Sequence, residues 1–254
     1  SGMTATVLDT RNLSDSEVII YVMIAVALCL IILQLALDSY LAPVLMLLNI
    51  GMAVLYNMGT NAFLGQTSYI TKAISAVLQL GVTMDFAIFL YHSYKAEKEK
   101  ASNNDEAMAT AIAKTLVSVL GSSLTTIAGF LALCSMNLTL GKDIGLVMAK
   151  GVLIGVITAV TTLPAMLLVF DKWVEKTKHK EILPRFEKVK NFNLKHYKAI
   201  LVAFIVILPF AVYGYTHTEN YYNLSKSLPD TLNSIQANNE LKDKFDMVST
   251  ELLL

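Results

Sequence analysis

The stretch QLGVTMDFAIFLYHSY, residues 79–94, sets one carboxylate, Asp85, in the middle of an otherwise apolar run. An acid removed from water favours its neutral form unless a cation holds it ionised. A carboxylate in that setting is suited to taking up and releasing a proton. His92 lies seven positions on, close to the same face of a helix, and imidazole changes charge near neutral pH. It could pass a proton onward, or serve as a polar anchor at the helix end. A second polar group follows in GSSLTTIAGF, residues 121–130, where Ser122, Ser123, Thr125 and Thr126 cluster. Hydroxyls donate to or accept from either protonation state of a carboxyl, and they can equally turn back onto carbonyls of their own helix. The chemistry on offer is proton relay. No nucleophile–histidine arrangement, phosphate-binding loop or metal-ligand spacing appears, so no enzymatic activity, cofactor or metal is expected. Cys29 and Cys134 lie inside apolar runs and read as small buried hydrophobes.

The elements that must position these groups follow from hydropathy. Of the 254 residues, 55% are hydrophobic and only 16% charged, with a formal net charge of +0. That is too apolar for an ordinary soluble domain, and the charge balance gives no signal for nucleic acid. Crossing a bilayer takes about 20 mostly apolar residues in a helix. Six segments meet or approach that length: about 18–37, 41–58, 73–94, 109–134, 145–170 and 199–216. The sixth is short, and Pro209 is expected to kink it. Within the third span Asp85 is about 18 Å from one end and about 14 Å from the other, near the bilayer midplane. An aspartate there costs roughly 2.5–3.5 kcal/mol and is too short to reach water. Such a cost points to a working group more than to a packing one.

Small residues allow close helix approach: Gly81 one turn before Asp85, Gly121 and Gly129 in the fourth span, and Gly151 and Gly155 as GxxxG in the fifth. Lys150, near one end of the fifth span, is expected to snorkel outward rather than pair with a carboxylate. Lysines sort the connections into two sides. The connection after span three carries Lys95, Lys98 and Lys100, and residues 171–198 carry nine Lys or Arg. Connections 59–72 and 137–144 carry only Lys72 and Lys142. The positive-inside rule then places both basic connections in the cytoplasm and both chain ends outside it.

The organisation expected is thus an all-α polytopic bundle. Residues 1–16 would end a first extracytoplasmic domain, and 17–171 would form a five-helix membrane bundle. Residues 172–198, with aromatic and aliphatic residues interleaved among lysines, read as one interfacial amphipathic helix drawn to anionic headgroups. Span six would cover 199–216. Residues 217–254 would open a second, α+β extracytoplasmic domain. There Leu232, Ile235, Leu241 and Phe245 recur at helical spacing, Asp230 or Thr231 is a plausible N-cap, and MVSTELLL reads as a strand. Neither end looks natural, and the chain reads as an excerpt of a longer protein.

GVTMDFAIFLYHSYKAEK resembles the GxxxDY-containing fourth helix of resistance-nodulation-division transporters, in the branch named for mycobacterial membrane protein large (MMPL). SSLTTIAGFLAL followed by GLVMAKGVLIGVITAVTTLPAMLLVF resembles the next two helices, and SLPDTLNSIQANNELKDKF resembles the opening of the second porter domain. The resemblance implies that the six spans are the second to seventh of a twelve-helix, two-half transporter in a bacterial cytoplasmic membrane. It implies that Asp85 is a proton-relay carboxylate whose counterpart lies in the other half, and that the substrates are hydrophobic or lipid-like. Two departures stand out. The family's tyrosine after the aspartate is Phe86, so a phenolic hydrogen-bond partner is lost, and Ser93 replaces the usual arginine, with His92 beside it. The rival implied by the same bundle is a sterol-sensing-like, non-transporting receptor or scaffold, in which Asp85 only packs. An intramembrane aspartyl protease would need two converging mid-span carboxylates, whereas Asp38 and Asp143 sit at span ends.

Overall fold

The computed structural model describes residues 3–65, 67–180, 187–218 and 231–245. In order these form α1 (Met3–Ala36), α2 (Leu41–Thr60), a 3-10 turn (Asn61–Leu64), α3 (Tyr69–Lys98), α4 (Asn104–Leu133) and α5 (Thr139–Val160). There follow α6 (Thr162–Val169), α7 (Asp171–Lys176), α8 (Glu187–Thr216) and α9 (Asn233–Phe245). Six stretches are long and apolar enough to cross a membrane: Ala5–Ala36, Leu41–Leu64, Tyr69–Lys98, Asn104–Leu133, Thr139–Val169 and Val189–Thr216. The chain is a multi-pass, all-helical membrane protein, and no strand occurs among the described residues. The expected strand at MVSTELLL lies outside them, as does Asp230; of the segment expected to open an α+β domain, the described residues include the helix α9.

The chain divides into two compact units, residues 11–182 and residues 1–10 with 183–254. In the first, α2 to α7 pack with the C-terminal half of α1. One core gathers Leu33 and Leu37 of α1, Met46 and Ile50 of α2, Met84 and Leu90 of α3, Met108 of α4, and Leu163 and Leu167 of α6. A smaller core joins Phe86 of α3, Val119 of α4, and Val152, Val156 and Ala159 of α5. Local chemistry sets the helix ends. Ser68 starts α3 by accepting from the Ile70 N–H at 3.3 Å, and Asn103 starts α4 by accepting from the Glu106 N–H at 2.8 Å. The fifth span is two helices because Pro164 has no N–H to give and crowds the preceding turn. The backbone leaves the α5 geometry at Thr161 (φ −117°, ψ −64°) and restarts as α6.

The basic connection is not one amphipathic helix. After α7, Thr177–Lys180 is non-helical and pairs with the α1–α2 turn: His179 N–H donates to Asp38 O at 2.8 Å, and Tyr40 N–H to Thr177 O at 3.2 Å. Lysine spacing alone could not reveal that competing pairing. The helix α8 runs through Pro209 and leaves helical geometry at His196 instead (φ −115°, ψ 18°). In the second unit Asp9, near the start of α1, accepts from the Ser234 N–H at 3.1 Å, capping α9 from another helix.

Candidate functional site

Helix α3 has two polar faces, and they differ in kind. One carries Asp85. Ile74, Leu78, Gly81, Asp85, Phe89 and His92 are all exposed and fall at three- and four-residue intervals, so they form one open stripe along the helix. Asp85 makes no hydrogen bond or ion pair among the described residues. Phe86, at the position where the family has tyrosine, points the other way into the core with Val119, Val152 and Val156. His92 is exposed, two turns toward the lysine-rich end from Asp85.

The four hydroxyls of α4 are not brought to Asp85. Ser123 donates to Leu120 O at 3.1 Å, and Thr125 and Thr126 donate to Ser122 O at 2.7 and 3.0 Å. Ser123, Thr125 and Thr126 thus satisfy themselves on their own helix. Ser122 and Thr125 are exposed, Thr126 half-buried and Ser123 buried. A side chain added at Gly81, Gly121 or Gly129 would meet nothing within 4 Å. These glycines therefore open α3 and α4 surfaces that no part of the described chain fills. Only 11% of the most apolar window of α4 is buried, against 44% for α2, α3 and α5, so α4 is the least covered of these four helices.

The opposite face of α3 is closed, a feature that hydropathy does not reveal. Thr71, Ser75, Gln79 and Thr83 recur every four residues, and all are buried. Gln79 Nε2 donates to Gly151 O at 3.1 Å, and Gln79 Oε1 accepts from Asn57 Nδ2 at 2.8 Å. Gly151 O can only accept, so it fixes the orientation of the Gln79 amide, which in turn fixes that of Asn57. The i, i+4 recurrence of neutral polar residues was the signal that could have found this clamp. Gly151 and Gly155 make it possible. A Cβ at Gly151 would run into Asn57, and one at Gly155 into the Thr83 methyl. Lys150, expected to snorkel, turns inward instead. Its ammonium donates to Asn57 O at 3.0 Å, Thr60 Oγ1 at 2.9 Å and Asn61 Oδ1 at 2.5 Å. It caps the C-terminal carbonyl end of α2, where a cation suits the helix dipole.

Carboxylates fasten both ends of α3. At its start, Asp143 Oδ2 accepts from the Ser68 N–H and from Thr71 Oγ1, each at 2.6 Å. At its end, two Tyr/Lys pairs spaced i, i+4 each hold one carboxylate. Tyr91 donates to Asp38 Oδ1 at 2.9 Å and Lys95 lies 2.8 Å from Asp38 Oδ2. Tyr94 donates to Asp171 Oδ1 at 2.8 Å, while Lys98 reaches both Asp171 oxygens, at 2.6 and 2.7 Å. Asn104 of α4 completes the second site at 2.8 Å. Burial alone would raise the Asp38 carboxyl, but hydrogen bonds from Lys95 and Tyr91 and the Lys95 charge outweigh it and hold Asp38 below the usual carboxylate range. Hydrogen bonds from Lys98 and Lys178 likewise lower Glu175.

Asp85 is thus the one mid-span carboxylate of α3 left unfinished, on a helix otherwise fastened at both ends and along its back. The model of the MMPL family matches residues 1–195. This chain belongs to the MMPL family. Among its relatives, the Streptomyces coelicolor protein named "Putative membrane protein ActII-3" is 32% identical over 154 residues, 57% of this chain and 22% of that protein. A Mycobacterium leprae protein named "Probable transport protein MmpL4" is 28% identical over 178 residues, 68% of this chain and 19% of its own length. The protein named "Siderophore exporter MmpL5" of Mycobacterium tuberculosis is 26% identical over 178 residues, 68% of this chain and 18% of that protein. The chain spans about a fifth of the length of these relatives.

Proposed function

We propose that this chain is part of a proton-driven secondary exporter of hydrophobic or lipid-like molecules, with Asp85 as the group that carries the proton. The observation behind the reading is Asp85 itself, a mid-span carboxylate on an open helix face with no partner among the described residues. Leaving it against hydrocarbon would cost roughly 2.5–3.5 kcal/mol, so that face is covered in the working protein. The second half of the transporter is the cover we propose, laid against the Gly81–Asp85 stripe of α3 and the glycine-lined surface of α4. Export is supported by the names of MMPL relatives, two of which are called a transport protein and an exporter.

Protonation neutralises Asp85 and removes the need for a charged or strongly polar neighbour. Deprotonation restores that need, so the two states favour different packings of α3 against its cover. The difference in interaction energy between those packings is what a proton gradient can drive. His92 lies on the same stripe toward the lysine-rich end and is proposed as the next proton station. By the positive-inside rule that end faces the cytoplasm of a bacterial inner membrane, with both ends of the chain outside.

The test is movement of a fluorescent lipid analogue in proteoliposomes of the full-length protein under an imposed pH gradient. Transport that rises with the gradient and collapses with a protonophore is expected. A bundle that folds normally and binds the analogue, yet moves none of it under any gradient, would point to the receptor reading instead.

A further inference from the structure

The short helix α7 follows directly on the end of the fifth span, and its two acids are paired, Asp171 in the core and Glu175 at the surface. Asp171 is buried and held by Tyr94, Lys98 and Asn104, and Glu175 accepts from Lys98 at 2.7 Å and Lys178 at 3.2 Å. Val174 of the same helix is buried in the core. Three lysines of this stretch are left without acids to pair with. Lys172, Lys176 and Lys180 are exposed, and among the described residues none of the three makes a hydrogen bond or ion pair through its side chain.

The same stretch carries exposed apolar area. Trp173 is 67% exposed and Val169 75% exposed. Phe170 packs edge-on to Trp173 with ring centroids 6.5 Å apart. A tryptophan beside unpaired lysines at the end of a membrane span has the chemistry of the bilayer interface. The indole sits at headgroup level, and each ammonium is drawn to negative charge there.

We propose that the exposed surface at the end of the fifth span, formed by Val169 and Phe170 just before α7, Lys172, Trp173 and Lys176 on it and Lys180 just after it, is a binding surface for anionic phospholipid headgroups. The occupant is fixed by charge complementarity and position. The free charges are all positive because Lys98 of α3 and Lys178 already pair with the acids of this helix, and the apolar residues between them lie where the span leaves the hydrocarbon. The site anchors the α7 end of the bundle to the leaflet it faces. It does not depend on what the protein transports.

Trp173 is the sole tryptophan of the chain, which supplies a direct probe. The full-length protein, with any tryptophan outside this chain replaced by phenylalanine, is reconstituted in vesicles containing either brominated phosphatidylglycerol or brominated phosphatidylcholine at equal mole fraction, and quenching of indole fluorescence is measured. Roughly two-fold or stronger quenching by the anionic lipid is expected, diminishing with added salt. In Lys172→Gln/Lys176→Gln/Lys180→Gln the preference for phosphatidylglycerol should vanish while quenching by phosphatidylcholine persists. Lys100→Gln, which removes a lysine already paired with Glu97 at 3.3 Å, should leave the preference intact. Circular dichroism checks the fold, and each single lysine variant should give a partial loss if the triple variant is unstable. Equal quenching by the two lipids in the wild type would overturn the proposal, as would a preference surviving in the triple variant. Absence of quenching by either lipid would overturn it too, and would assign the face to a protein partner.

Discussion

The two faces of α3 carry polar groups at similar depths, yet only one is finished within the chain. On the inward face Gln79 bridges Asn57 and the Gly151 carbonyl, Thr83 donates to Gln79 O at 2.7 Å, and two glycines of α5 let the helices close around them. On the outward face Asp85 has no hydrogen-bond or ion-pair partner among the described residues, and a side chain added at Gly81 beside it would meet nothing within 4 Å. The inward groups are neutral and largely matched donor to acceptor, as packing in hydrocarbon favours, with Asn57 Oδ1 left buried and without a partner among the described residues. The outward group is ionisable and unmatched. A structural polar residue in a membrane is recognised by being satisfied where it stands. A working one is recognised by needing something that comes and goes.

Substituting glycines on the two faces should break the comparison most visibly. Gly155→Leu drives a side chain into Thr83 and should cost several kcal/mol, beyond the usual range of about 1–3 kcal/mol for overpacking, because the obstacle is a close-packed helix. Loss of folded protein from detergent extracts is the measurement. Gly121→Leu, on an open surface of α4, should leave the fold of this chain nearly unchanged, and equal losses from both would contradict the packing described.

A smaller effect comes from Gln79→Leu, which strands the Asn57 amide and the Gly151 carbonyl. A cost of about 1–3 kcal/mol is expected, seen as a lower unfolding midpoint in a denaturing-detergent titration. Asp85→Leu, in the same titration, should not lower the midpoint, since Asp85 has no partner to lose.

The smallest effect is a pH dependence at the lysine-rich end. Asp38 is held below its unfolded value of about 3.9, so it adds stability that is fully present above that value. The stability drains away as pH falls through the depressed folded value. The stability gap between wild type and Asp38→Asn should therefore be level from pH 7 to about pH 5 and close below about pH 4. A gap that widens on acidification would mean that Asp38 is not held by Lys95 and Tyr91.

Much of this architecture was legible beforehand. Six apolar runs and their lysine-poor and lysine-rich connections fix the spans, because hydrocarbon forces backbone satisfaction into helices. Asp85 stood out because a charge in such a run has a large cost. The ends were less legible. The apolar run of span one begins near residue 18, while α1 extends back to Met3, since hydropathy marks where a helix enters lipid, not where it begins. The Gln79 clamp was overlooked because neutral polar residues barely disturb a hydropathy window, although their four-residue spacing was visible. The inward turn of Lys150 could not be read at all. It depends on the α2 carbonyl end lying within reach, which only packing brings about. Lys95 and Lys98 read as topology markers and Tyr91 and Tyr94 went unremarked, yet each holds a carboxylate far away in sequence.

The most direct measurement is proton-driven movement of the lipid analogue by the full-length protein carrying Asp85→Asn, beside wild type and Asp85→Glu at matched membrane abundance. Asparagine keeps the shape and loses the proton, whereas glutamate keeps the proton at a displaced position. Abolished transport with asparagine and partial transport with glutamate is the predicted result. Wild-type transport by the asparagine variant would contradict the assignment of Asp85 as the proton carrier.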